Sequence, residues 1–123
     1  MNVPITFQTT DWDAVPVTEH PGRTGKARWR TVRFGALRIR LVEFSENYRA
    51  GEWCRIGHIV YCLDGEMVTE VSDGRSFPLR SGMSYQVTDG ISAHRTSSEK
   101  GAKVLIVDGD FLKIKQEFNP WRM

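Results

Sequence analysis

The sequence predicts an all-β chain, folded as one antiparallel sandwich or barrel. Three observations carry this. Short segments alternate apolar and polar residues with a period of two and are rich in β-branched and aromatic side chains. Turn-forming pairs separate them at intervals of about ten residues. No stretch between them has apolar residues at helical spacing.

The elements follow in order. Pro16, Pro21, Gly22 and Gly25 break the chain before residue 25, which reads as loop. Residues 27–34 (ARWRTVRF) and 37–44 (LRIRLVEF) are the first strands, turning at Gly35-Ala36. Residues 58–63 (HIVYCL) and 67–71 (MVTEV) come next, then 83–88 (MSYQVT) and 103–107 (KVLIV). Between them lie Asp64-Gly65, Asp73-Gly74, Arg80-Ser81-Gly82, Asp89-Gly90 and Lys100-Gly101. The first two of these pairs suit type I′ hairpin turns, whose central residues both need positive φ. Residues 110–118 hint at a short helix. The expected organisation is one domain over 1–123, with an N-terminal arm 1–26, a barrel core over about 27–108 and a tail 109–123.

At 123 residues, 40% hydrophobic and 26% charged, the chain has the composition of a single globular domain. Its start carries neither a basic segment nor an apolar one, so no secretory signal is expected. The longest apolar runs, 59–63 and 104–107, are far too short to span a bilayer, and no membrane partner is expected. Two cysteines in such a chain imply free thiols rather than a disulfide framework, and hence a cytoplasmic protein. The net charge of +2 does not demand nucleic acid. Seven cations between Arg23 and Arg40, with Trp29 and Phe34 among them, have the look of a single-strand binder. The strict alternation Leu37-Arg38-Ile39-Arg40-Leu41 fits better a half-buried strand whose arginines form the wet face, and no nucleic-acid partner is expected.

The chemistry gathers in GEWCRIGHIVYCLDGE, residues 51–66. Residues two apart share a face of an extended segment, so Glu52 and Cys54 face together. His58 joins them unless Gly57 makes a bulge or a close backbone approach. His94 arrives from a distant segment. One carboxylate, one thiol and two imidazoles are a ligand set for a transition metal. The plainer reading is a polar pocket, since buried free cysteine packs as a small hydrophobe and buried histidine usually satisfies hydrogen bonds. Alternatively, Cys54 is a nucleophile or redox sensor whose pKa is lowered by His58 or His94, although no third, orienting residue is identifiable. Tyr85, Cys62 and Trp53 are the candidates for the pocket wall: Tyr85 offers a hydroxyl, Cys62 is core filling rather than chemistry, and Trp53, of opposite parity to Cys54, points outward. His20, in the front loop, is expected to be an exposed imidazole.

The spacing resembles that of the cupin family, whose first motif runs Gly-x5-His-x-His-x3–4-Glu-x6-Gly. Anchored on Gly65, the family's glutamate falls on His58, its second histidine on Cys54 and its first on Glu52. Gly82 fits the opening of the second motif and His94 takes the place of its histidine, one residue late. The chain is most similar to small bacterial cupins with an Asp/His/Cys/Trp motif. Trp53, Cys54, Gly57, His58, Ile59, Cys62, Leu63, Gly65 and Glu66 fit that group, while Gly51 and Glu52 stand where its Asp and His would be. The resemblance implies a single-domain cupin-type β-barrel, the double-stranded β-helix or jelly roll. It also implies a small-molecule ligand or substrate, a divalent transition metal (zinc, iron or nickel) on Glu52, Cys54, His58 and His94, no organic cofactor, and a homodimer. Two functional classes stay open at this point: a metal-dependent enzyme acting on a small acid, sugar or thiol, and a metal-free, non-catalytic binding or sensing domain.

Overall fold

A computed structural model describes residues 3–114 of the chain. Nine strands form an antiparallel sheet curled on itself: β1 (Val17–Pro21), β2 (Lys26–Phe34), β3 (Leu37–Phe44), β4 (Tyr48–Arg49), β5 (His58–Val71), β6 (Ser76–Arg80), β7 (Ser84–Val87), β8 (His94–Ser98) and β9 (Ala102–Asp108). The order runs β1-β2-β3-β9-β5-β8-β4, and β6 and β7 also pair with β5.

The long strand β5 makes the barrel. Its first half pairs with β7 and β9, its second with β6 and β8, so one strand belongs to both faces of the jelly roll. The corner is a register shift between Cys62 and Asp64, followed by Gly65 at φ +78°. A Cβ on Gly65 would collide with the Gly101 carbonyl, so the bend requires glycine. This corrects the expected hairpin at Asp64-Gly65: the positive φ bends a continuous strand instead of reversing it. A turn does occur at Asp73-Gly74, but only Gly74 has positive φ, so it is not type I′. There the Asp73 carboxylate accepts the Arg75 backbone N–H at 3.1 Å.

Alternation along the strands sets inside and outside. Ala27, Val42, Val60, Cys62, Met67, Leu79, Ala102, Val104 and Ile106 form the core. The same parity carries Arg38 and Arg40 inward, opposite Asp108 and Ile106 of β9. The expected wet face of β3 is therefore inverted: Arg40 is 5% exposed, and Ile39 and Leu41 turn outward. On that outer surface Ile39, Val107 and Ile59 stand in one cross-strand row and Leu41, Leu105 and Tyr61 in the next.

Elsewhere in the arm, β1 pairs with β2 where loop was expected, as an edge strand that tolerates Pro21 at its end. It carries His20, which is half-buried and stacked on Trp29 at 3.7 Å rather than freely exposed. Of the basic cluster, Arg30 donates to the carbonyls of Trp12, Asp13 and Val15 and Lys26 pairs with Glu19. In the tail, the described part of the expected helix holds a single 3-10 turn, Asp110–Leu112, with 113 and 114 non-helical; residues 115–118 lie outside the described residues.

Candidate metal centre

Three separate elements bring Cys54, His58 and His94 together at one end of the barrel. His58 opens β5, opposite Val87. Gly57 precedes it in a close backbone approach: a Cβ there would sit 2.7 Å from the Val87 oxygen. His94 opens β8, and Cys54 bridges to it by paired backbone bonds, Cys54 N to His94 O at 2.7 Å and His94 N to Cys54 O at 2.9 Å. Upstream, Ala50 N donates to Thr96 O. The five residues 50–54 thus run beside the three residues 94–96 of β8, and the excess of two is taken up in a bend at Gly51-Glu52. Glu52 lies in that bend. Glu52 borders the same cavity but is solvent-exposed and stands outside the three-residue group.

The donor atoms face one another. Cys54 Sγ, one nitrogen of His58 and one of His94 all lie within 4.8 Å of each other, and Cys54 Sγ is 3.4 Å from His58 Nε2. Zinc bonds of about 2.3 Å to sulfur and 2.0–2.1 Å to nitrogen at a tetrahedral angle require a sulfur–nitrogen spacing of about 3.5 Å, so the pair fits such an ion. The other imidazole nitrogens are held from behind. His58 Nδ1 donates to Asp108 Oδ2 at 3.2 Å, and His94 Nδ1 donates to the Ser92 carbonyl at 2.8 Å. Both tautomers follow from these acceptors, leaving each Nε2 with its lone pair free. His94 Nε2 is buried with no hydrogen-bond partner at all, an orphan that a metal would satisfy.

Asp108 and the two arginines were not identified from sequence as site residues. Arg38 grips Asp108 with two bonds, Nε to Oδ1 at 3.0 Å and Nη2 to Oδ2 at 2.9 Å, and Arg40 Nη2 adds a third at 3.0 Å. The only sequence signal was the charge alternation in β3, which means an inward face once an acid lies opposite it.

The charges shape the titration of the cluster. Burial alone would push the Cys54 thiol up, but its hydrogen bond with His58 and the nearby His94 imidazole outweigh it and bring the thiol down to about 5. Burial opposes protonation of His58, yet its bonds to Asp108 and Cys54 prevail and raise it. Asp108 is likewise resisted by burial and drawn far below the usual carboxylate range by His58 and Arg38. The metal-free site therefore favours a thiolate at Cys54, beside an imidazole that holds its proton more tightly than usual because Asp108 stands behind it.

Of the expected wall residues, Tyr85 lines the cavity with its ring 5.9 Å from that of His94. Cys62 does not; it is fully buried in the core, where burial raises its pKa and its thiol points to the Asp64 and Gly65 carbonyls. Trp53 also lies outside the wall, 38% exposed beneath the Arg95 guanidinium at 4.1 Å. Both cysteines are free.

No protein-family model and no curated protein matches the chain. Solved structures do. Ectoine synthase from P. lautus aligns at a TM-score of 0.68 and 18% identity, covering 89% of this chain and 80% of that one. A sugar phosphate isomerase of the cupin superfamily from Silicibacter pomeroyi aligns at 0.66 and 16% identity, over 83% of this chain and 75% of that one. The iron(II) form of HppE aligns at 0.69 and 15% identity, over 87% of this chain and 62% of that one. These likenesses define the class: the chain has the cupin fold. Within that fold, Cys54, His58 and His94 form a group of donors that could hold a metal ion.

The thiol chemistry is directly testable. In chelator-treated protein, iodoacetamide should label Cys54 with a half-maximal rate near pH 5, since the thiolate is the nucleophile. Cys62 should stay unlabelled in the folded state. A Cys54 rate still rising above about pH 8, as for an ordinary thiol, or faster labelling of Cys62, would contradict the geometry.

Proposed function

We propose that the protein is a small metal-binding cupin that takes a small polar ligand in its barrel, with Cys54, His58 and His94 holding a divalent transition metal. The observation that carries this is the buried, partnerless Nε2 of His94, facing a thiol and a second imidazole whose outer nitrogen is already fixed. Three protein donors leave an open position, as in catalytic rather than structural zinc sites. When bound, the ion would supply a Lewis acid at that position. The thiolate favours zinc or another late first-row ion over magnesium or calcium, while the iron(II) in HppE shows what a protein of this fold accommodates. Asp108 holds His58 in the tautomer that coordinates, and Cys54, with its lowered pKa, releases its proton readily. We place the protein in the cytoplasm, where two free thiols are at home. Among the described residues, no helix is long and apolar enough to cross a membrane.

A second reading has one specific observation behind it. Cys54, His58 and Asp108 are in line as nucleophile, base and orienting acid, at 3.4 Å and 3.2 Å. Metal analysis separates the two. Protein dialysed against zinc should retain one ion per chain and melt higher than with chelator, by mass action on the folded state. His94→Ala should abolish stoichiometric binding, and Asp108→Asn should weaken it roughly 10–100-fold by freeing the His58 ring. If wild type and His94→Ala melt identically with and without chelator and neither holds metal, the thiol reading replaces the metal one.

The outer apolar rows on β3, β9 and β5 support a homodimer. Ile59, Tyr61 and Leu63 are 38%, 43% and 41% exposed on one strand face, and a second copy presents the same surface to cover them. Light scattering at micromolar concentration should give about twice the 14.1 kDa chain mass, and Tyr61→Asp should return it to one chain. A wild-type mass of one chain would exclude the pairing.

A further inference from the structure

The cavity beside the cluster has its own unsatisfied chemistry. Arg40 lines it, is 5% exposed, and donates to Asp108 through Nη2 alone, while its Nε–H is buried without an acceptor. Native structures rarely leave a buried charged donor unpaired, so this atom calls for an acceptor. The guanidinium is held in place, 4.5 Å over the Trp29 ring on one side and tied to Asp108 on the other. Burial and the neighbouring Arg38 lower its pKa to about 10, still cationic at neutral pH.

The local charge balance has a definite sign. Arg38 and Arg40 together exceed the single charge of Asp108, and a divalent ion exceeds that of the Cys54 thiolate. Glu52, the lining acid, is exposed, and Arg95 is already paired with Glu70 at 2.7 Å. A loaded site thus carries excess positive charge beside buried side chains, which an anion would neutralise. The cavity is small, about 150 Å³. An enclosed void of about that size binds benzene, so a body of similar bulk fits here. Its lining also includes an apolar and aromatic set: Trp29, Val42, Phe44, Tyr85 and Ile106.

We infer that the ligand of this cavity is a small carboxylate with a short apolar body, one carboxylate oxygen accepting from Arg40 Nε and the other taking the open metal position. The second contact rests on the metal reading above; the first does not. Arg40 is the specificity residue, selecting the anion over its neutral isostere. The apolar wall excludes bulky or strongly hydrated bodies such as sugars.

The matched probes are isobutyrate and isobutyramide, equal in shape and different in charge, with inorganic phosphate as a second anion. Cobalt(II)-loaded protein reports metal contact through its visible spectrum, and calorimetry reports binding with or without metal. Isobutyrate should change the spectrum saturably, with isobutyramide weaker by about tenfold or more. Arg40→Gln should retain cobalt but weaken isobutyrate by about tenfold or more, and Arg40→Lys, which keeps charge and loses the fork, should fall between. Should Arg40→Gln fail to fold, Arg40→Lys carries the comparison. Equal binding of acid and amide, phosphate tighter than isobutyrate, or wild-type isobutyrate affinity in folded Arg40 variants would overturn the proposal. If the protein takes up no cobalt, the metal reading fails on its own. Calorimetry on the metal-free protein then decides the anion site: Arg40-dependent isobutyrate binding supports it, and none overturns it.

Discussion

The carboxylate of Asp108 holds the interior of this barrel together. At 6% exposure it accepts from Arg38, Arg40 and His58, from strands at opposite sides of β9. Three inward cationic or polar side chains in a 123-residue domain would otherwise oppose folding, since a buried charge without a partner is strongly destabilising. Gathered on one acid, they become compatible with a core of valine, alanine and cysteine. Removing a partner from such a buried pair typically costs about 3–5 kcal/mol, a large fraction of the stability of any domain this size.

The same acid links fold to site. β9 lies between β3 and β5, so its last residue reaches the arginines on one side and His58 on the other. His58 is thereby turned with Nε2 toward Cys54. The corner in β5 matters for the same reason: it lets one strand carry His58 at its start and pair, at its far end, with His94 on β8. Thus Gly65, outside the cluster, shapes the barrel that brings two histidines 5.2 Å apart, ring centre to ring centre. Cys54 completes the group by bridging to the backbone of His94 itself.

The period-two pattern made most of this fold legible. Residues 37–44 form β3 as read, and 27–34 and 103–107 each differ from β2 and β9 only at the ends. Missed strands have physical reasons. β8 is His-Arg-Thr-Ser-Ser, whose buried positions, His94 and Ser98, are polar and give no hydrophobic alternation. β6 contains Pro78, which reads against a strand but is tolerated where pairing is on one side only. The site was legible in its Cys54, His58 and His94 members because family spacing marked them. Glu52 borders the same cavity from a two-residue bend, which leaves no trace in parity. Arg40 and Asp108 stayed hidden because nothing in β3 alone says which face is inside; only the register Arg38 to Asp108 does.

The central claim is that this architecture presents one sulfur and two imidazole nitrogens to a single ion. X-ray absorption at the zinc edge of the loaded protein measures that shell directly. One sulfur at about 2.3 Å with nitrogen scatterers showing imidazole outer shells is the predicted result. A shell of nitrogen and oxygen alone, with no sulfur, would contradict it.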